Sequence, residues 1–116
     1  MTHVFTLEIP KGILIVLNNL YEIEKKLTFH GDTGNAARNV EKMKGAMAEL
    51  GYFYEDPMGQ YYKETRTDLD ASISGSSTEN LIVVEVIKPI VRAGDVTFSR
   101  VIQKGIVIVE SKEGRN

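Results

Sequence analysis

Glu64, Asp68 and Asp70 fall within seven residues of one another in the stretch YKETRTDLDASIS. Carboxylates this close can exchange a proton with a substrate or share a hard cation. No glycine-bearing calcium-loop pattern surrounds them, and Lys63 and Arg66 are interleaved with them. The segment therefore reads first as a charged, solvated face. A small ligand-binding or enzymatic β domain using Glu64, Asp68 and Asp70 is the alternative.

The other chemistry-bearing residues are more scattered. His3 and His30 are the two histidines, and neither has a second histidine at metal-ligand spacing. The serines between Ser72 and Ser77 have no base nearby in the chain, so a triad would need His3 or His30 brought from afar. HGDTGN, residues 30–35, has the glycines of a phosphate loop but no Gly-Lys-Ser/Thr ending, and it follows a helical pattern instead of a strand. Tyr52–Tyr54 and Tyr61–Tyr62 could stack on bases, yet no basic run is interleaved with them, so they are expected to pack in the core. With no cysteine there is no thiol nucleophile, disulfide framework or thiolate metal site. Catalytic residues, metal and cofactor are all expected to be absent.

Composition narrows the partners. The chain has 116 residues, 42% hydrophobic and 26% charged, which suits one globular core. Its 14 basic and 16 acidic residues leave a formal charge of −2, so no general attraction to nucleic acid or to an anionic membrane is expected. Met1–Pro10 has no long apolar core of the secretory kind, and the longest apolar run, Ile13–Leu17, is far too short to cross a bilayer. A cytoplasmic protein is expected.

The elements follow from periodicity. Ile13, Val16, Leu17, Leu20, Ile23 and Leu27 recur at helical spacing, and Pro10 suits the start of that helix. Leu14 and Ile15 widen the stripe beyond what so short a chain has elements to cover, which points to a second subunit. After the HGDTGN loop, Ala36, Val40, Met43, Met47 and Leu50 make a heptad-like face, with Gly45 a weak point unless a close helix contact needs it. Gly51 is a natural helix stop.

From Tyr52 the pattern turns to strand. Asp56–Gly59 forms a turn, Tyr61–Tyr62 and Ala71–Ser74 are extended, and GSSTEN (residues 75–80) turns again. Leu81–Ile87 and Ile106–Val109 are the strongest strands, rich in β-branched residues. The expected fold is α+β: a helical dimerisation region over residues 1–51, then a small all-β, barrel-like domain over 52–116.

This order resembles the GrpE family, the nucleotide exchange factors of DnaK-type chaperones. The family's leu-x-val-leu-asp-asn-leu helix is similar to Leu14–Leu20, with Asn18 for the usual aspartate, and its leucine-x-x-x-glycine helix end is similar to Met47–Gly51. Its closing apolar strand, connection, basic residue and terminal strand look like Ile82–Ile87, Pro89–Ser99, Arg100 and Val101–Val109. The resemblance covers roughly residues 13–110. Tyr61–Ala71 lacks the histidine and proline of the family's phe-asp-pro-x-x-his-glu-ala stretch. Only Met1–Pro10 precedes the first helix, so a shortened, divergent member without the long N-terminal coiled-coil helix is expected.

The resemblance implies a homodimer whose helices pair into a four-helix bundle through Ile13, Val16, Leu17, Leu20, Val40, Met43 and Met47. It also implies a β arm that contacts a DnaK-type chaperone through Ile87, Lys88, Arg92 and Arg100. A dimeric protein-binding adaptor of the same fold, without exchange activity, is the nearest alternative.

Overall fold

The computed structural model describes residues 9–95 and 97–112. Helix α1 runs over Lys11–His30 and ends where Gly31 takes φ 91° and its amide reaches back to the Leu27 carbonyl. Asp32 in the following loop accepts from the Ala36 and Ala37 amides at 2.6 and 3.0 Å, satisfying free donors at the start of α2, Ala37–Glu49. HGDTGN thus builds a helix start. Gly51, at φ 93°, stops α2 as its position in the sequence predicts. A Cβ added at Gly45 would meet nothing within 4 Å, so no contact among the described residues requires that glycine.

Six strands follow among the described residues: β1 Tyr52–Glu55, β2 Leu69–Ser74, β3 Leu81–Lys88, β4 Ile90–Gly94, β5 Ser99–Gln103 and β6 Gly105–Ser111. Only Pro89 separates β3 from β4, and only Lys104 separates β5 from β6. The four strands are one long antiparallel hairpin, bent where Val91 pairs with Gln103 and Lys88 with Ile106. Proline cannot donate to a ladder, so pairing breaks at Pro89 and the ribbon changes sheet there. Below the bend, β2 joins β6 in parallel, giving the order β2-β6-β3; above it, β1 joins β4, giving β1-β4-β5.

Three expectations are corrected by this topology. The β part is not barrel-like: it forms two small sheets with no closed barrel, because the break at Pro89 divides six short strands into two groups of three. The stretch Pro89–Ser99 is not a plain connection, since it contains β4, and Tyr61–Tyr62 contributes only an isolated bridge, Tyr61 to Ile82.

The core has two neighbouring clusters. Leu17, Leu20 and Val40 of the helices bury against Val91 of β4, with Tyr52, Tyr54 and Ile102 packed around them. Leu69, Leu81, Val83, Val86, Ile90, Val107 and Val109 form the second, with Tyr21 of α1 inserted among them. Asn18 and Gln103 exchange amide hydrogen bonds at 3.0 and 2.9 Å, and Gln103 also donates to the Pro89 carbonyl at 3.0 Å. That amide pair fixes α1 to the bend of the ribbon.

Candidate functional site

Arg100 lies on β5, an end strand, where it is exposed and its side chain makes no ion pair or hydrogen bond among the described residues. Ile87 and Lys88 end β3 and are also exposed. Phe98, in the turn before β5, is 80% exposed, and sequence reasoning missed it. Nothing in its local pattern separates an aromatic bound for solvent from one bound for the core.

Arg92 sits differently. Its guanidinium donates to Glu55 at 2.9 Å and to Asp68 at 3.3 Å, and its side chain is half-buried. Asp68 is also gripped by Arg66 through two 3.0 Å bonds, Nε to Oδ1 and Nη2 to Oδ2. Arg66 reaches on to Gln60 Oε1 and the Tyr61 carbonyl. The network ties β1, β4 and the start of β2 together.

The Arg66 hydrogen bonds, aided by the charges of Arg66 and Arg92, hold the Asp68 carboxyl below the usual carboxylate range. A lowered native value means the interaction is fully present above the unfolded carboxylate's titration, near pH 4, and is lost as pH falls through the native value. Asp68→Asn should therefore cost about 2 kcal/mol at pH 7, with a smaller difference from the parent at pH 3. Urea unfolding at the two pH values measures this. An equal cost at both would mean the charge on Asp68 contributes nothing.

The carboxylates of the sequence reading do not converge. Asp70 is exposed and 3.9 Å from Lys104, while Glu64 borders a separate shallow pocket with Tyr61, Tyr62 and Ile73. No group of three or more histidine, aspartate or glutamate side chains is placed to hold a metal among the described residues. His30 is exposed and meets Phe29 edge to face; His3 lies outside the described residues.

On the helices, Leu17, Leu20 and Val40 are buried inside the chain, and Ile13 and Met47 pack against the same cluster. Val16 and Met43 remain over 40% exposed, as does Ile15. Ile23 is exposed on the same helix as Ile15 and Val16. No described helix is long and apolar enough to cross a membrane.

A polar cluster joins α1, α2 and β1. Glu24 accepts from the Tyr54 hydroxyl and pairs with Lys44 at 3.2 Å, and the Lys44 ammonium stands over the Tyr54 ring. Tyr21 donates to Asp56 at 3.1 Å. Burial raises the titration of both phenols, and the adjacent carboxylates raise it further, so both stay protonated donors.

No family model matches the chain, and no curated protein or solved structure matches it either.

Proposed function

We propose that this chain is a GrpE-like co-chaperone, a homodimer joined through its helices that sets a β arm against the nucleotide-binding domain of a DnaK-type chaperone. Such a protein works in the cytoplasm without a cofactor. It speeds nucleotide exchange by binding the chaperone's open form better than the closed, nucleotide-bound form. No bond is made or broken on the exchange factor, so the activity asks for contact residues instead of a nucleophile or base.

The observation that carries this reading is Arg100: an exposed guanidinium on an end strand, unpaired among the described residues, in the position the resemblance assigns to the chaperone contact. Arginine suits the role because its fork engages carboxylates or carbonyls in pairs while its stem covers apolar surface. Ile87 and Lys88 are exposed as well and complete the contact set. Arg92, the remaining contact residue that the resemblance implies, is half-buried and held by Glu55 and Asp68. Val16 and Met43, with Ile15 and Ile23, supply the dimer's exposed apolar surface.

Arg100→Glu should weaken the complex at least tenfold, which corresponds to about 1.4 kcal/mol, while leaving fold and self-association unchanged. Titration of parent and variant against the nucleotide-free chaperone, alongside nucleotide-release rates, is the test. Equal affinities and rates would remove Arg100 from the interface. Binding without any acceleration of release would favour the adaptor.

A further inference from the structure

One face of the sheet β2-β6-β3 is turned away from the helices. Val107 and Val109 of β6 are buried in the cluster that Tyr21 of α1 enters, so α1 packs on that side of the sheet. Ile106, Ile108 and Glu110 alternate with them and point the other way. Strand register sets out this outer face as three rows. Asp70, Ile106 and Lys88 stand side by side in the first, Ser72, Ile108 and Glu85 in the second, and Ser74, Glu110 and Ile82 in the third. Two register shifts in β3 leave Val84 and Ile87 without partners on β6, while the three rows keep theirs.

The middle of this face is apolar, and Ile106 is 36% exposed. Charges of opposite sign flank it in the first row. The Lys88 and Glu85 side chains make no ion pair or hydrogen bond among the described residues. Asp70 has only a 3.9 Å contact to Lys104, in which both side chains are more than half exposed, and such a contact is worth little.

We propose that a second copy of this chain packs on this face, related by a two-fold axis that runs parallel to β6. That rotation exchanges the outer strands, so β2 of each copy lies over β3 of the other. Asp70 then meets the second copy's Lys88, Lys88 meets its Asp70, and Ile106 and Ile108 each cover their own counterparts. Ser72 stands over Glu85 and can donate its hydroxyl there. The two Glu110 side chains meet at the rim, where exposed Lys112 follows two positions on. A two-fold running across the strands would instead set Glu85 on Glu85 within the contact and leave Asp70 and Lys88 opposite Ser74 and Ile82. The charges therefore select the first axis, and the chain itself supplies the complementary surface.

Aligned sheets pack about 10 Å apart with their strands within about 30°, an offset at the corners that the long Lys88 stem can span. Three strands about 4.8 Å apart over five residues make a patch of roughly 14 by 17 Å, so the pairing is weak and concentration-dependent. It is separate from the helix contact proposed above and stands without the chaperone reading, although it covers Lys88.

The chain has no cysteine, so a single introduced thiol reports on one position. Ile108→Cys should be joined to itself by a short bismaleimide, because equal positions on β6 face each other. Ile106→Cys should behave alike, and it serves if circular dichroism shows Ile108→Cys to be unfolded. Ser72→Cys should not link to itself, whereas a mixture of Ser72→Cys and Glu85→Cys chains should link. Adding Asp70→Lys to Ile108→Cys should lower the yield about fivefold, and Lys88→Asp placed in the same chain should restore it, since both pairs are then reversed. Val16→Asp, which disrupts the helix contact, should leave the link intact. Ser72→Cys linking to itself as readily as Ile108→Cys would reveal random collision and overturn the proposal. A dimer that links at neither isoleucine position, loss of the link in Val16→Asp, or no rescue by the double reversal would overturn it as well. So would a monomer whose Ile106→Cys thiol resists maleimide, by making another part of the chain the cover.

Discussion

Replacing Leu17 with aspartate should unfold the chain and not merely separate two copies of it. Leu17 is 1% exposed and packs with Leu20, Val40 and Val91, where α1, α2 and β4 meet. Deleting a buried leucine side chain costs about 2–5 kcal/mol, and an unpaired carboxylate at the same point adds several more. A domain of this size holds roughly 5–15 kcal/mol in total, so little or no folded population should remain at 25 °C. Circular dichroism and urea titration give the answer. Val16→Asp is the informative contrast, because Val16 is 43% exposed. That variant should keep the parent's fold and lose only the proposed self-association, read by light scattering. A folded Leu17→Asp chain would mean that the helices do not need their seat on the upper sheet.

Gly94→Ala should be the most damaging single-methyl change. Gly94 closes β4 at φ 135°, a backbone conformation that side chains oppose. A Cβ there would fall on the Phe98 carbonyl oxygen and within 2.7 Å of Ser99 Cα, both backbone atoms that cannot rotate away. The turn beyond is fixed by Asp95, whose amide donates to the Phe98 carbonyl at 2.9 Å. Its carboxylate accepts from the Thr97 hydroxyl and from the Thr97 and Phe98 amides at 2.6–2.9 Å. The Thr97 hydroxyl, followed by the two amides, holds the Asp95 carboxyl below its ordinary titration range. Strain of about 1–3 kcal/mol joins an overpacking cost of similar size, so about 3 kcal/mol should be lost. Hydrogen exchange should quicken first at β4 and β5. Exchange unchanged there would mean the turn relaxes around the methyl group.

Periodicity and punctuation carried the helices and the strongest strands. The spacing from Ile13 to Leu27 placed α1, Gly51 marked the helix-to-strand change, and the β-branched runs located β3 and β6. Pro89 misled, because a proline inside an apolar run reads as a stop. In the fold it is a buried corner, after which the chain resumes as a strand one residue later. The breadth of the α1 stripe was legible, but its covering was not. Part of the stripe is buried by Val91 and Ile102, more than seventy positions away in the chain. The arginine network was equally hidden: Asp68 meets Arg92 across a separation of 24, and Arg92 meets Glu55 across 37. Exposure at Arg100 and Phe98 depends on which strand ends the sheet, and strand order is not written in local pattern.

The amide pair between Asn18 and Gln103 spans 85 positions, and Val91 and Ile102, which seat the same helix, are likewise late in the chain. Ribosomes add roughly 5–20 residues per second, so about 4–17 s pass between synthesis of Asn18 and of its partner. Within that interval α1 can coil and, once α2 has been made, pair with it, but the sheet that covers Leu17 and Leu20 is not yet complete. The nascent chain therefore carries an uncovered apolar helix for seconds, making it a client for whatever guards new polypeptides before it can serve as a partner to anything.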